Sequence, residues 1–175
     1  LNVRPGWGGG RMRAASIELE PLRENEAREL IDILVPGDRL PPTVRTDLLE
    51  KTEGNPLFLE ETIRMLLERG DDSLMERIPD TLQALIAVRI DGLPPAAKSV
   101  LHRAAVIGRI FWHGALEHIA PDLEVDDLLD SLLLRDFVLN EPRSTIIGER
   151  AFRFKHMLIR EVAYGGLTKA ERATL

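Results

Sequence analysis

The stretch Val125-Asp126-Asp127-Leu128-Leu129-Asp130-Ser131-Leu132-Leu133-Leu134 sets Val125, Leu128, Leu129, Leu132 and Leu133 on one face with a period of 3.6. This spacing predicts a helix over about Glu124 to Arg135. Downstream, Phe137 to Leu139 and Phe152 to Phe154 read as two strands around the turn-rich Pro142 to Arg150, and Leu158, Ile159, Val162 and Ala163 mark a further helix. Upstream, Ile110-Phe111-Trp112 is a short strand and His113 to Ala120 a short helix. Before these, Ala97, Val100, Leu101, Ala104 and Ala105 stripe a helix that follows Pro94-Pro95. An earlier helix is capped by Asp80, carries Leu82, Leu85 and Ile86, and is ended by Gly92.

Three helices, a hairpin and a helix form a winged-helix order. Ahead of it lie three more helices. One runs from about Glu24 to Leu34 with Ala27, Leu30, Ile31 and Leu34 inward. The next runs from about Pro42 to Glu53 with Val44, Leu48 and Leu49 inward and Gly54 as the left-handed stop. Asn55 then caps and Pro56 opens a helix that buries Leu59, Ile63, Leu66 and Leu67. Asp71-Asp72-Ser73 is a polar linker, and the boundary between the two helical modules falls between there and Asp80. The expected fold is mainly α, a helical bundle followed by a winged-helix domain with a small β-hairpin.

Composition narrows the function classes. The chain has 175 residues, of which 44% are apolar, 30% charged and 5% aromatic, so it can bury a core and is neither disordered nor fibrous. No apolar run approaches the roughly 18 residues of a membrane span. The absence of Cys excludes disulfides, thiol nucleophiles and thiolate metal sites, and suits a reducing cytoplasm. With 23 Lys+Arg against 29 Asp+Glu and a pI near 5.3, the chain lacks the basic footprint of a dedicated DNA binder. It opens at Leu1 without a Met or a signal pattern, which reads as an excised piece of a longer chain.

Chemical motifs are sparse. There is no G-x-S-x-G elbow, no H-E-x-x-H, and the four His are scattered, so neither nucleophilic catalysis nor a metal centre is expected. Gly-Lys does not occur, which removes a phosphate-binding G-x-x-x-x-G-K-[ST] loop, and no strand ends in paired acids. On its own the chain is expected to be catalytically inactive.

The run Glu53-Gly54-Asn55-Pro56-Leu57-Phe58-Leu59-Glu60-Glu61 resembles the signature in the helical lid of STAND-type P-loop ATPases, which are related to AAA+ proteins. The resemblance is to the branch found in bacterial cyclase-linked and LuxR-type regulators. Three further stretches fit that branch in order: Ile78 to Gln83 with Arg89 to Pro94, Ala104 to Phe111, and Phe154 to Tyr164. On this resemblance residues 1–20 are the end of a nucleotide-binding core, 21–75 the helical lid and 76–175 the winged-helix domain. Leu1 to Pro5 resembles the last core strand, followed by the family's Trp-Gly-Gly loop. The phosphate loop and acidic Mg²⁺ site would then lie upstream.

The resemblance also implies roles. Gly54, Asn55 and Pro56 would sit over the nucleotide base, with Pro56 against adenine; stop, cap and first-turn proline explain the same triplet as plain helix punctuation. Arg4 resembles the sensor arginine that feels a γ-phosphate, or is a solvated terminal residue. His156 would contact the ADP phosphate in the closed state, or is a surface residue or a cap partner at its helix start. Arg160 and Glu161 read as an outward surface pair, Glu60 and Glu61 as carboxylates favourable near a helix start, and Phe111 and Trp112 as core with Arg109 exposed.

The function so implied is regulatory. A lid and winged helix would close over ATP or ADP, with Mg, held by the chain's own upstream P-loop core, and would signal to downstream domains in the cytoplasm. The parent would be an ATPase, with an adenylate or guanylate cyclase as one candidate output. The alternative is a winged-helix module of a transcription regulator that binds DNA, or a protein partner or second protomer. DNA is disfavoured because the recognition helix would carry Glu124, Asp126, Asp127 and Asp130 against Arg135.

Overall fold

A computed structural model describes residues 19–37, 39–69 and 78–175. The described residues are mainly helical, with a small three-stranded antiparallel sheet. Residues 71–77 of the predicted boundary region, which runs from 71 to 80, and the predicted core strand at Leu1 to Pro5 lie outside them.

Three helices form the N-terminal unit: α1 (Glu24–Leu34), α2 (Pro42–Thr52) and α3 (Pro56–Arg69). The start of α1 is held by Glu26, whose carboxylate accepts the Arg23 N–H at 2.7 Å. Its apolar stripe buries Ala27 and Ile31 against Leu48 of α2 and Leu59 and Ile63 of α3. The expected stop of α2 comes one residue early: α2 ends at Thr52, and Glu53 and Gly54 both take left-handed backbone, at φ 49° and 72°. Two successive left-handed residues turn the chain sharply into α3. Leu67, expected inward, is 49% exposed, because α3 buries two other stripes. Leu59, Ile63 and Leu66 face the first core, and Phe58 and Met65 face the next unit.

The second unit runs α4 (Leu82–Asp91), α5 (Pro95–Ile107), β1 (Ile110–Trp112), α6 (His113–Ile119), α7 (Val125–Leu134), β2 (Val138–Glu141), β3 (Ala151–Phe154), α8 (Met157–Gly165) and α9 (Lys169–Thr174). Thr81, and not Asp80, caps α4: its hydroxyl accepts the Ala84 N–H at 3.2 Å, while Asp80 lies outside the first turn. The sheet order is β1-β3-β2, with Ile110 opposite Arg153 and Val138 opposite Phe154. Phe111 meets both Phe152 and Phe154 with ring centroids 5.7 Å apart, and the three form the centre of the larger core, together with residues such as Leu101, Leu132 and Ile159.

The second strand begins at Val138, later than expected. Asp136 is left-handed at φ 56°, and the Phe137 N–H reaches back to the Leu132 carbonyl at 3.0 Å, so Phe137 closes α7 before pairing begins. Helix α9 has no counterpart in the sequence expectations. Its signal is a Thr-x-x-Glu capping box: Thr168 Oγ1 accepts the Glu171 N–H at 3.2 Å, and Glu171 accepts the Thr168 N–H at 2.6 Å.

Candidate functional site

The corner between α2 and α3 is built by close backbone approach. The Gly54 carbonyl accepts the Leu22 N–H at 2.8 Å, and a Cβ at Gly54 would stand 2.3 Å from the Leu22 oxygen. Asn55 Oδ1 accepts the Phe58 N–H at 3.1 Å and so caps α3, and Pro56 takes its first position. Helix punctuation therefore accounts for all three residues locally. Asn55 and Pro56 are also exposed and available to a ligand.

Two clefts flank this corner. One, of about 340 Å³, is lined by Leu22, Glu24, Arg28, Glu50, Glu53 and Gly54 among others. Arg28 is committed to Glu24 at 2.7 Å, so the cleft is net acidic: it can take an uncharged ring and would repel phosphates. The other, about 390 Å³, lies beside Asn55 and Phe58 and contains Lys51 and Asp80, 3.7 Å apart.

His156 precedes α8 as its N-cap residue, and its side chain makes no capping bond. It is aimed at α3. Its Nε2 lies 4.0 Å from Glu60, beyond hydrogen-bond reach, and has no partner among the described residues. Glu60 is four residues after Pro56, hence on the same helix face. It accepts Lys155 Nζ at 2.5 Å and Arg64 at 2.7 Å. Burial pushes its carboxyl up, but the bonds and charges of Lys155 and Arg64 outweigh this and hold it below its ordinary value. Through the Glu60–Lys155 bond, α3, which Pro56 opens, is tied to the turn before α8 in which His156 stands. Arg4 lies outside the described residues.

One turn beyond His156, Arg160 does not pair with Glu161. Its guanidinium lies 5.4 Å from the Tyr164 ring, which also receives Arg172 of α9 at 4.2 Å. Phe111 is buried and Arg109 exposed, as expected.

The group that sequence reasoning misplaced is Glu61. Expected as a favourable carboxylate near a helix start, it is fully buried and ion-paired with Arg89 of α4, itself 3% exposed. Arg89 also donates to Glu68 at 2.6 Å and to the Arg135 carbonyl at 2.9 Å, and lies over the Phe137 ring at 4.6 Å. The carboxylates of Glu61 and Glu68 keep Arg89 firmly protonated despite its burial. A signal was present in the spacing. Phe58-Glu61-Met65 and Leu82-Leu85-Arg89 each place one charge on an apolar stripe at i, i+3, i+7.

His113, Glu117 and Asp126 bring three ligand atoms within 4.8 Å of one another. Arg150 already supplies the cation there: it bonds Asp126 and holds that carboxyl below its ordinary value, so the group ties α6, α7 and the end of the hairpin together. None of the described helices is long and apolar enough to cross a membrane.

No protein-family model matches the chain. It is 27% identical over 190 aligned residues to an uncharacterized protein of Rhizobium meliloti (strain 1021). That alignment covers 98% of this chain and 18% of the relative, so the chain spans less than a fifth of the curated relative's length.

Proposed function

We propose that the chain is the helical lid and winged-helix part of a STAND-type ATPase regulator, cytoplasmic, closing over ATP or ADP held with Mg by an upstream P-loop core. The observation that supports this reading most is the junction at Glu60. There the helix opened by the exposed Asn55-Pro56 corner is bonded through Glu60 to Lys155, beside His156, whose Nε2 has no partner among the described residues. On this reading the corner meets the nucleotide base and His156 a phosphate. Regulation follows as a population shift, because ATP and ADP move the equilibrium only if they bind the open and closed arrangements unequally.

The test is calorimetric. This chain alone should bind ATP weakly or not at all, whereas a longer chain that includes the upstream core should bind it stoichiometrically. Tight binding by the 175-residue chain itself overturns the reading.

A protein-docking role is favoured by a separate observation. At the hairpin tip Ile147 is fully exposed and Ile146 is 46% exposed, on a turn set by Ser144 and by Gly148 at φ 82°. If the tip mediates self-association, Ile146→Ser with Ile147→Ser should abolish a concentration-dependent increase in sedimentation coefficient. A wild-type chain that stays monomeric excludes it. DNA binding through α7 is disfavoured, because its Asp126, Asp127 and Asp130 would face phosphates.

A further inference from the structure

Between the two main apolar cores lies a third, small cluster of Phe58 and Met65 from α3 with Ile78 and Leu85. Around it stand the ion pairs Glu61–Arg89 and Glu68–Arg89, and further out Glu60–Lys155 and Arg64–Asp136. Each of these pairs joins α3 to the second unit. Helix α4 is shared: Leu82, Leu85 and Val88 pack on the small cluster, while Ile86 and Ile90 belong to the large core.

We infer that the α3–α4 seam is a register-fixing joint that makes the N-terminal unit and the second unit move as one body, with Arg89 as its key. Glu61 and Glu68 are seven residues apart, about 10 Å along the helix axis, and the Arg89 fork bonds both. Sliding α3 by one turn, about 5.4 Å, would leave a buried guanidinium and a buried carboxylate without their partners. An apolar seam alone would tolerate such a slip; this one does not. The guanidinium is also fixed from the second unit, by the Arg135 carbonyl and the Phe137 ring, so the key is held from both sides. For the proposed switch, on which only this consequence rests, the body that swings over the nucleotide is both units together.

Hydrogen exchange on the nucleotide-free chain tests the joint independently of any ATP binding. In the wild type, peptides from α1–α3 and from α5–α8 should report the same opening constant with the same denaturant dependence. Arg89→Ala should raise the opening constant of α1–α3 on the order of a hundredfold over that of α5–α8, as expected for breaking a buried pair. The paired change Glu61→Leu with Arg89→Met, which removes both charges and keeps the packing volume, should bring the two opening constants back together. If Arg89→Ala does not accumulate as folded protein, Arg89→Lys serves in its place, because it keeps the cation and loses the fork. Units that already open independently in the wild type, or an equal rise in both units on mutation, overturn the inference.

Discussion

Gly54 shows how one hydrogen atom in place of a side chain decides a corner. Its φ of 72° already disfavours any L side chain, and the Leu22 backbone fills the space a Cβ would need. Gly37 is the natural control, with a similar φ of 82° and nothing within 4 Å of the position a Cβ would take. Gly37→Ala should cost only the left-handed backbone, about 1 kcal/mol. Gly54→Ala should cost clearly more, because the Leu22 N–H to Gly54 carbonyl bond must also be displaced. Urea unfolding of the two variants measures the difference, and equal losses would remove the close-approach argument. Asn55→Ala, which deletes a cap, belongs in the same series at about 1 kcal/mol.

At the scale of elements, Glu60 links α3 to the turn before α8, and its ionisation makes that link pH-dependent. Its folded-state value is depressed, so its contribution is fully present above the ordinary value near 4.5 and is lost as the pH falls through the lower folded value. Glu60→Gln should therefore flatten the acid limb of a stability-against-pH curve and leave its neutral and alkaline shape alone; an unchanged acid limb would refute the linkage. The same elements mark what a sequence makes legible. Helices α1, α3, α5 and α7 announce themselves because their partners in the pattern are three or four residues away, and the motif at Gly54-Asn55-Pro56 is readable as local punctuation. The seam is not readable in that way. Glu61 pairs with a residue 28 positions on, Arg64 with one 72 on, and Glu60 with one 95 on, and no local period encodes such distances. Of the candidate site, residues 54–56 are legible as helix punctuation, whereas the bond of Glu60 to Lys155 beside His156 is not, because Glu60 reads locally only as a charge near a helix start.

At the scale of the molecule, two larger cores and one small cluster among the described residues are stitched by charge where they meet. A second titration acts far from the seam. His102 of α5 lies beneath Gly166, whose missing Cβ would sit 3.3 Å from its Nε2, and it shares a groove with Lys98 and Glu171. Burial and then the Lys98 charge push its ring below the ordinary value near 6.5, although Glu171 and Asp91 pull the other way. Folding therefore loses stability as the pH drops from about 6.5 toward the folded value, because the unfolded chain takes up the proton first. His102→Gln should remove that mildly acidic loss, as read from denaturant midpoints on either side of pH 6.5.

The buried Glu61–Arg89 pair has a practical corollary for anyone who would recombine this chain with its relatives. A chimera that grafts residues 19–69 onto a foreign second half inherits a carboxylate whose cation is on the piece left behind. Such hybrids should succeed or fail on whether the incoming α4 supplies an arginine at the matching turn, far more than on how similar the two halves are overall.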